Sequence, residues 1–280
     1  MSGQDVRRFV EQAARQQQFL DVASREEAIR RFHAHLDLTP RGEETVPLDR
    51  AVGRVLAADV VAGVDVPGFD RSGVDGFAVR AADTVGARED APIRLTLNAE
   101  VLAAGAVPAL AVVPGTATVI ATGGMVPRGA DAVVMVEQTE VADGEPLAVE
   151  IRKPAVPGQF IAAAGSDIGR GETVLRRGQV LTARDIGILA AIGRAEVAVA
   201  RRPRVAVLST GDEIQAPGTL PRAGAVYDSN GAILAAAVAA FGAEPVALGI
   251  AADDEAALSA AVAAGLACDA LLLSGGTSKG

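Results

Sequence analysis

The sequence predicts a multidomain α/β protein: a mixed α/β N-terminal domain with an inserted, mostly-β domain, followed by an incomplete three-layer αβα parallel-sheet domain. Three observations predict this fold class. The chain has 280 residues, half of them apolar, and roughly 150 residues make one domain. Short β-like runs alternate with Gly and Pro turns in the middle of the chain. From residue 201 onward strands alternate with helices, a pattern typical of a parallel sheet.

The predicted domain boundaries lie where these patterns change. They are 1–19 for an N-terminal extension, 20–65 together with 152–200 for the mixed domain, 66–151 for the inserted β domain, and 201–280 for the parallel-sheet domain. A parallel sheet of three strands is too small to close its own core. We therefore expect the chain to be truncated at its C-terminus.

The N-terminal elements are predicted from capping and periodicity. Residues 5–19 are polar and helix-like. The run Ser24-Arg25-Glu26-Glu27 has a capping-box pattern, and the apolar spacing that follows it predicts an amphipathic helix reaching Leu36. A short strand at 45–48 and a helical turn at 51–58 come next.

The later elements are predicted in the same way. The β-like runs are 77–79, 93–97, 117–121, 132–136 and 147–151. Thr182 is a predicted helix start, and Gly193 a predicted helix end. The last part is predicted as strand 205–208, helix 229–241, strand 245–250, helix 254–264 and strand 270–273. Ligands of such sheets bind beyond the carboxyl ends of the strands.

Composition excludes several classes of function. A formal net charge of −9 argues against a general nucleic-acid or acidic-membrane binder. The single cysteine, Cys268, excludes an internal disulfide and a cysteine-based zinc site. No signal-peptide pattern is present at the N-terminus, and prolines divide the uncharged stretch 101–127 into pieces too short to span a membrane. The sequence therefore predicts a soluble cytoplasmic protein.

Two motifs lie in the predicted β domain. Residues 66–80 combine a Pro-Gly turn with an Asp-Gly turn, a pattern that physics alone favours as structural. The functional alternative is that Asp75 is an exposed carboxylate, fixed at a tight turn and available to a substrate or a metal. Thr122-Gly123-Gly124 could offer a hydroxyl and backbone N–H groups to an oxyanion, or could simply be a flexible turn.

Acidic residues follow the strands of the predicted parallel sheet. Asp212 and Glu213 come after the first strand, Asp228 precedes the next helix, and Asp253 follows the second strand. Asp228 could also serve only as a helix cap. Clustered carboxylates repel one another unless a cation lies among them, and ligands that offer only oxygen favour Mg²⁺ over zinc.

A glycine-rich loop follows the last predicted strand. Its sequence from Gly275 to Gly280 offers hydroxyls and one lysine, which suit phosphate or pterin oxygens. It lacks the spacing of a Walker A loop or of a dinucleotide fingerprint.

Together, in this order, these motifs resemble the molybdopterin molybdenumtransferase family, which includes bacterial MoeA and the E domain of gephyrin. The resemblance runs from about residue 19 to residue 280. The stretch around Asp75 is similar to the family's Phe-Asp-Asn-Ser-Ala-Met-Asp-Gly-Tyr-Ala, with Arg71, Gly73 and Val74 as departures. The family's Gly-Glu-Asp-Ile stands here as Gly-Ser-Asp-Ile, which leaves Asp167 as its single carboxylate.

The resemblance implies insertion of molybdate into adenylylated molybdopterin, with Mg²⁺-dependent release of AMP. It implies catalytic roles for Asp75, Thr122 and Glu213, and metal ligation by Asp212 and Asp253. The implied substrate-binding residues are Asp167, Ser209, Thr210, Gly211, Asp228, Ser229, Gly275, Gly276, Thr277 and Ser278.

The resemblance also implies partners and leaves alternatives. Family members are homodimers whose cleft is shared between protomers, and a molybdopterin adenylyltransferase is a further candidate partner; no nucleic acid and no membrane are expected. One alternative function is molybdopterin adenylyltransferase, whose catalytic domain resembles residues 201–280 only. The other is a non-catalytic pterin-binding scaffold, suggested by Ser166 and the altered stretch around Asp75.

Overall fold

The computed structural model describes residues 23–275, which fall into two compact units that part between Pro40 and Arg41. In the first unit, helix α1 (Arg25–His33) begins where the Ser24 hydroxyl accepts a hydrogen bond from the Glu27 N–H at 3.2 Å. The predicted helix is confirmed, but it ends before Leu36 and buries none of its residues. The predicted helix at 5–19 lies outside the described residues.

The second unit contains the strands and the other helices. The strands are β1 (Glu43–Pro47), β2 (Val60–Val61), β3 (Arg71–Ser72), β4 (Gly76–Val79), β5 (Ile93–Leu102), β6 (Thr116–Ile120), β7 (Ala132–Met135), β8 (Thr139–Ala142), β9 (Ala148–Ile151), β10 (Ile161–Ala162), β11 (Thr173–Leu175), β12 (Glu196–Ala200), β13 (Arg204–Thr210), β14 (Ile214–Gln215), β15 (Val226–Tyr227), β16 (Glu244–Ala251) and β17 (Ala270–Ser274). The helices are α2 (Ala183–Ala191), α3 (Ser229–Ala240) and α4 (Glu255–Gly265).

A mixed region is built from two distant stretches of chain. Strand β1 pairs antiparallel with β12, and β2 pairs with β11. The core of this region packs Leu56, Leu189 and Val199, each at most 1% exposed. Pairing of residues before 62 with residues after 172 agrees with the predicted arrangement, although the exact domain boundaries stay a prediction.

Helix α2 begins with a complete capping box. The Thr182 hydroxyl accepts from the Asp185 N–H, and the Asp185 carboxylate accepts from the Thr182 N–H at 2.8 Å. Hydrogen bonds from the Thr182 N–H and hydroxyl lower the pKa of the Asp185 carboxyl. The predicted helix start at Thr182 is confirmed, and Gly193, with φ +79°, follows the helix end as predicted.

The predicted helical turn at 51–58 is wrong. One short 3-10 turn lies earlier, at Leu48–Arg50. The N–H groups of Leu56 and Ala57 instead donate to the carbonyls of Gln179 and Ala198. Bonds to distant strands therefore outweigh the local helical pattern here.

The middle of the chain forms one six-stranded sheet in the order β7-β4-β6-β5-β9-β8. All five predicted β-like runs are confirmed as strands of this sheet. The sheet is antiparallel except for the parallel pair β5 and β6. Its two core clusters bury Val79, Val134, Ile151, Leu102 and Val133 completely.

The last part forms a parallel sheet in the order β16-β13-β17, which confirms the predicted alternation of strands and helices. The chain runs from the central strand to one edge and then crosses to the other edge. Crossovers between parallel strands are right-handed, and the two crossovers here run in opposite directions across the sheet. They therefore place α3 and α4 on opposite faces. The loops after β13, β16 and β17 all emerge at the carboxyl edge.

Candidate functional site

The Asp75 carboxylate is held at a turn before β4. Its Oδ1 accepts hydrogen bonds from the Thr122 N–H at 2.6 Å and from the Thr122 hydroxyl at 2.9 Å. These two bonds lower the pKa of the Asp75 carboxyl, the backbone bond contributing more. The carboxylate is thus ionised at neutral pH and exposed, with Oδ2 left to meet a ligand.

The surrounding backbone fixes this turn from several sides. The Ser72 N–H donates to the Gly124 carbonyl, and the Gly123 N–H donates to the Ser72 carbonyl at 2.8 Å. The buried Ser72 hydroxyl donates to the Val74 carbonyl at 2.6 Å. The Thr122 turn and the Asp75 turn are therefore one hydrogen-bonded unit.

Replacing Thr122 by valine should raise the pKa of Asp75 part of the way to its ordinary value. The change removes the hydroxyl bond but leaves the stronger backbone bond. Since a lowered pKa favours the folded state only while the carboxyl is ionised, this contribution is lost as pH falls through the folded-state pKa. Carboxyl ¹³C titration by NMR measures the shift. Thr122→Ser keeps the hydroxyl and is the control; an unshifted pKa in Thr122→Val would contradict the assignment.

A second feature is a cavity of about 260 Å³ at the carboxyl edge of the parallel sheet. It lies between the end of β13, the start of α3 and the end of β17. Its lining residues are Ser209, Thr210, Glu213, Ile214, Val226, Tyr227, Asp228, Ser229, Asn230, Ser274 and Gly275. The structure thus brings together six of the predicted site residues, namely Ser209, Thr210, Glu213, Asp228, Ser229 and Gly275.

Ser209 lines this cavity, and its hydroxyl oxygen is buried. Ser209 is 3% exposed, and its Oγ makes no hydrogen bond within the described residues. A buried hydroxyl without a partner costs about 1–3 kcal/mol. A polar ligand that reaches this hydroxyl would relieve that cost.

Two glycines allow close packing beside the cavity. A Cβ on Gly231 would overlap the Asp228 carboxylate and lie 3.0 Å from Ser209 Oγ. A Cβ on Gly275, where φ is +115°, would come within 3.3 Å of the Thr210 carbonyl carbon. Helix α3 and the loop after β17 can therefore approach β13 closely.

The predicted acidic residues of the parallel-sheet domain lie in two separate places. Asp228 lines the cavity and caps α3 by accepting from the Gly231 N–H at 2.8 Å. Asp212 does not line the cavity; its Oδ1 accepts from the Asp253 N–H at 3.1 Å. Across residues 23–275, no three His, Cys, Asp or Glu side chains are grouped closely enough to hold a metal ion. The predicted convergence of Asp212, Asp228 and Asp253 is therefore only partly found.

A magnesium ion would meet one or two carboxylates here rather than a complete cage. Mg²⁺ commonly binds through one or two carboxylates together with substrate phosphates and waters. The donors Glu213 and Asp228 in the cavity, and Asp212 with Asp253 beside it, fit an ion that arrives with a phosphate. They do not fit a resident ion held by the protein alone.

Asp167 and Gly211, also predicted site residues, do not line the cavity. Asp167 pairs with Arg71, whose Nη2 lies 3.3 Å from Asp167 Oδ2, close in the fold to the Asp75 turn. Gly211 forms the bend after β13, with φ +143° and the Glu213 carboxylate packed against it. Gly276, Thr277 and Ser278 lie outside the described residues.

Sequence reasoning missed two arginines near these sites. Arg71 was noted only as a departure from the family pattern, and its pairing with a residue 96 positions away carries no local signal. The Arg222 guanidinium donates to the Asp212 carbonyl at 2.8 Å and so holds the loop before β15 against the loop after β13.

The fold, the Asp75 turn and the cavity at the end of β13 define a multidomain α/β protein with a cavity at the carboxyl ends of a parallel sheet. None of the helices within residues 23–275 has the length and apolar character needed to cross a bilayer. Residues 23–193 match the model of the MoeA N-terminal region (domain I and II), and residues 206–280 match that of a probable molybdopterin binding domain. The chain belongs to the MoeA family, and the predicted family is confirmed.

Individual relatives agree with this assignment. Molybdopterin molybdenumtransferase 2 of Mycobacterium tuberculosis is 46% identical over 237 residues, covering 84% of this chain and 58% of that protein. The molybdopterin molybdenumtransferase of a Nostoc species is 38% identical, covering 85% and 54%. A crystal structure of the MoeA protein from Pyrococcus horikoshii superposes with a TM-score of 0.83 at 38% identity, covering 91% of this chain and 64% of that one. This chain spans less than two thirds of each.

Proposed function

We propose that this chain acts in molybdenum cofactor biosynthesis, as part of a transferase that inserts molybdate into adenylylated molybdopterin with release of AMP. The observation that carries the proposal is the cavity at the end of β13, with its unpartnered Ser209 hydroxyl, in a chain that belongs to the MoeA family. The relatives' names support the reaction, and the match to a molybdopterin binding domain supports a pterin substrate.

The cavity suits the phosphate-linked part of such a substrate. The N-terminus of α3 presents N–H groups and a partial positive charge, which favour an anion. The Ser209, Thr210 and Ser229 hydroxyls supply further donors at the same edge. Cleavage of a phosphoanhydride depends mainly on placing charge and metal, so no nucleophilic cysteine or histidine is required.

The carboxylates have two roles in this proposal. Asp75, ionised and held by Thr122, positions a donor group of the substrate through its exposed Oδ2. Glu213 and Asp228 in the cavity, with Asp212 and Asp253 nearby, would hold a Mg²⁺ ion that enters with the phosphate and neutralises its charge. Asp167 and the loop from Gly275 to Ser278 complete the proposed contacts with substrate.

A homodimer would bring the Asp75 turn and the β13 cavity together. In the residues that the structure describes, no hydrogen bond or ion pair joins the Asp75 turn to the β13 cavity. We propose that the cleft forms between the Asp75 turn of one protomer and the cavity of another. A molybdopterin adenylyltransferase is the proposed supplier of the substrate, and the cytoplasm the proposed location.

The activity test uses the full-length protein with adenylylated molybdopterin. Molybdate-dependent release of AMP supports the transferase, and the control omits molybdate. Formation of the adenylate from ATP would instead identify an adenylyltransferase, which the family match at residues 23–193 disfavours. Binding of pterin with neither reaction would identify a scaffold.

Replacing Ser209 by alanine should weaken substrate binding about tenfold without destabilising the protein. The hydroxyl has no partner in the free protein, so its removal relieves a buried polar group, while the bound ligand loses a hydrogen bond worth about 1.4 kcal/mol or a factor of ten. Calorimetry of binding and thermal melting measure both effects. Thr84→Val is the matched control, because that buried hydroxyl has partners and its loss should lower the melting temperature. Unchanged affinity in Ser209→Ala would remove Ser209 from the site.

A further inference from the structure

The segment before β10 contains an unusual backbone conformation. Of the residues between 23 and 275, Phe160 is the non-glycine residue with a positive φ, at +55°. Side chains other than glycine rarely adopt this left-handed conformation, and for a bulky residue it is a genuine outlier. Such conformations persist only where the surrounding structure holds them, and they concentrate at functional sites.

The left-handed residue lies where the segment changes partners. Before it, the Gln159 carbonyl accepts from the Val133 N–H of β7 at 3.0 Å. Directly after it, β10 pairs with β3, with Ile161 opposite Ser72. The Phe160 carbonyl itself accepts from the Gly73 N–H at 2.8 Å. The carbonyls on the two sides of the Phe160 Cα thus bond to two different segments of the chain, and the left-handed backbone of Phe160 lies between them.

Gly73 lies in the turn that carries Asp75. On the other side of the turn, the Asp75 carbonyl accepts from the Val136 N–H at 3.2 Å. The Phe160 bond therefore holds one end of the 73–75 segment, while β7 and the residues after it hold the other. A Cβ on Gly73 would lie 3.4 Å from the Phe160 oxygen, so the two backbones are in close contact.

We propose that Phe160 is a positioning residue for Asp75: its left-handed backbone directs its carbonyl to Gly73 and so fixes the turn that presents the Asp75 carboxylate to substrate. The effect belongs to the backbone, not to the aromatic ring. Asp75 Oδ1 can then accept from the Thr122 N–H at 2.6 Å because the Asp75 turn is held against the Thr122 turn. This inference rests on the proposed function only where it assigns Asp75 a role in turnover.

Three variants of the full-length protein separate backbone from side chain. Phe160→Gly removes the ring but accepts a positive φ freely. Phe160→Val resists a positive φ because its side chain branches at Cβ. Phe160→Thr is also branched at Cβ and serves if the valine variant does not fold.

The glycine variant should keep the rate constant kcat for AMP release within twofold of the natural protein. The valine variant, or the threonine variant in its place, should lower kcat at least tenfold with KM within twofold. The acidic limb of its pH–activity profile should also move to higher pH, because Asp75 loses the Thr122 bonds. Unchanged kcat and acidic limb in the valine and threonine variants would overturn the proposal, as would an equal loss in the glycine variant.

Amide hydrogen exchange at Gly73 tests the same inference without turnover. Exchange should be at least tenfold faster in the valine or threonine variant than in the glycine variant, while the Gly178 amide, bonded to the Leu56 carbonyl at 2.8 Å, serves as the internal reference. Equal protection of Gly73 in all variants would overturn the proposal. If the natural protein releases no AMP, the proposed function fails, and this exchange measurement still decides whether Phe160 fixes the turn.

Discussion

Asp75→Asn should lower molybdate-dependent AMP release by about 10²-fold, the loss that a misplaced substrate can cause. Asparagine keeps the Oδ1 acceptor that the Thr122 N–H and hydroxyl use, so the turn should retain its geometry. The substitution removes the negative charge and replaces the exposed Oδ2, an acceptor, by an amide NH₂ group, a donor. Rate measurements on the full-length protein provide the readout.

Melting temperature distinguishes this role from a structural one. Because Asp75 is exposed and its acceptor is preserved, we expect Asp75→Asn to lower the melting temperature by no more than about 4 °C, equivalent to roughly 1 kcal/mol. Asp90→Asn is a matched control: the Asp90 side chain is 80% exposed and pairs with Arg88, and the variant should keep full activity. A large drop in melting temperature with turnover preserved would show that Asp75 serves only the turn.

Gly76→Ala should destabilise the protein by about 3 kcal/mol or more, the upper range for overpacking. Gly76 begins β4 and pairs with Met135 of β7. A Cβ at Gly76 would overlap the Val134 carbonyl oxygen and lie 2.9 Å from its carbonyl carbon. Since both obstructing atoms belong to the backbone, the strand pair must separate to admit a methyl group.

The expected readout for Gly76→Ala is a fall in melting temperature of roughly 10 °C, since 1 kcal/mol corresponds to about 2–4 °C in a domain of this size. Gly63→Ala is the matched control, because nothing lies within 4 Å of a Cβ there and its φ is not positive. Equal melting temperatures for the two variants would show that β4 and β7 can move apart at little cost.

The sequence predicted those parts of the fold that depend on local patterns. Alternating apolar residues predicted five strands of the six-stranded sheet, and the capping sequence at Thr182 predicted the start of α2. Very short strands were missed because they exist only through distant partners. Residues 71–72, for example, are a strand because residues 161–162 lie beside them. The wrong helical turn at 51–58 has the same physical cause.

The candidate site was also predicted only where local patterns determine it. Asp228 and Gly275 were expected at the carboxyl edge because strands end there, and both line the cavity. The 2.6 Å contact of Asp75 with Thr122 spans 47 positions, and only the family resemblance placed the two in one cleft. Asp212 was expected beside Asp228, yet its carboxylate accepts the Asp253 N–H instead. Loop conformation decides which backbone group a carboxylate meets, and no residue pattern encodes that choice.

The pairing of β1 with β12 also sets the order in which the protein can assemble during synthesis. The last strand of the six-stranded sheet ends at Ile151, so that sheet can close about fifty residues before Ala200, the last partner of β1, leaves the ribosome. At 5–20 residues per second, β1 waits roughly 8–30 s for its complete partner, including about 2–10 s after the six-stranded sheet has been synthesised. Glu43 and Glu44 begin this waiting strand, and their charges discourage pairing with the edges of neighbouring nascent chains.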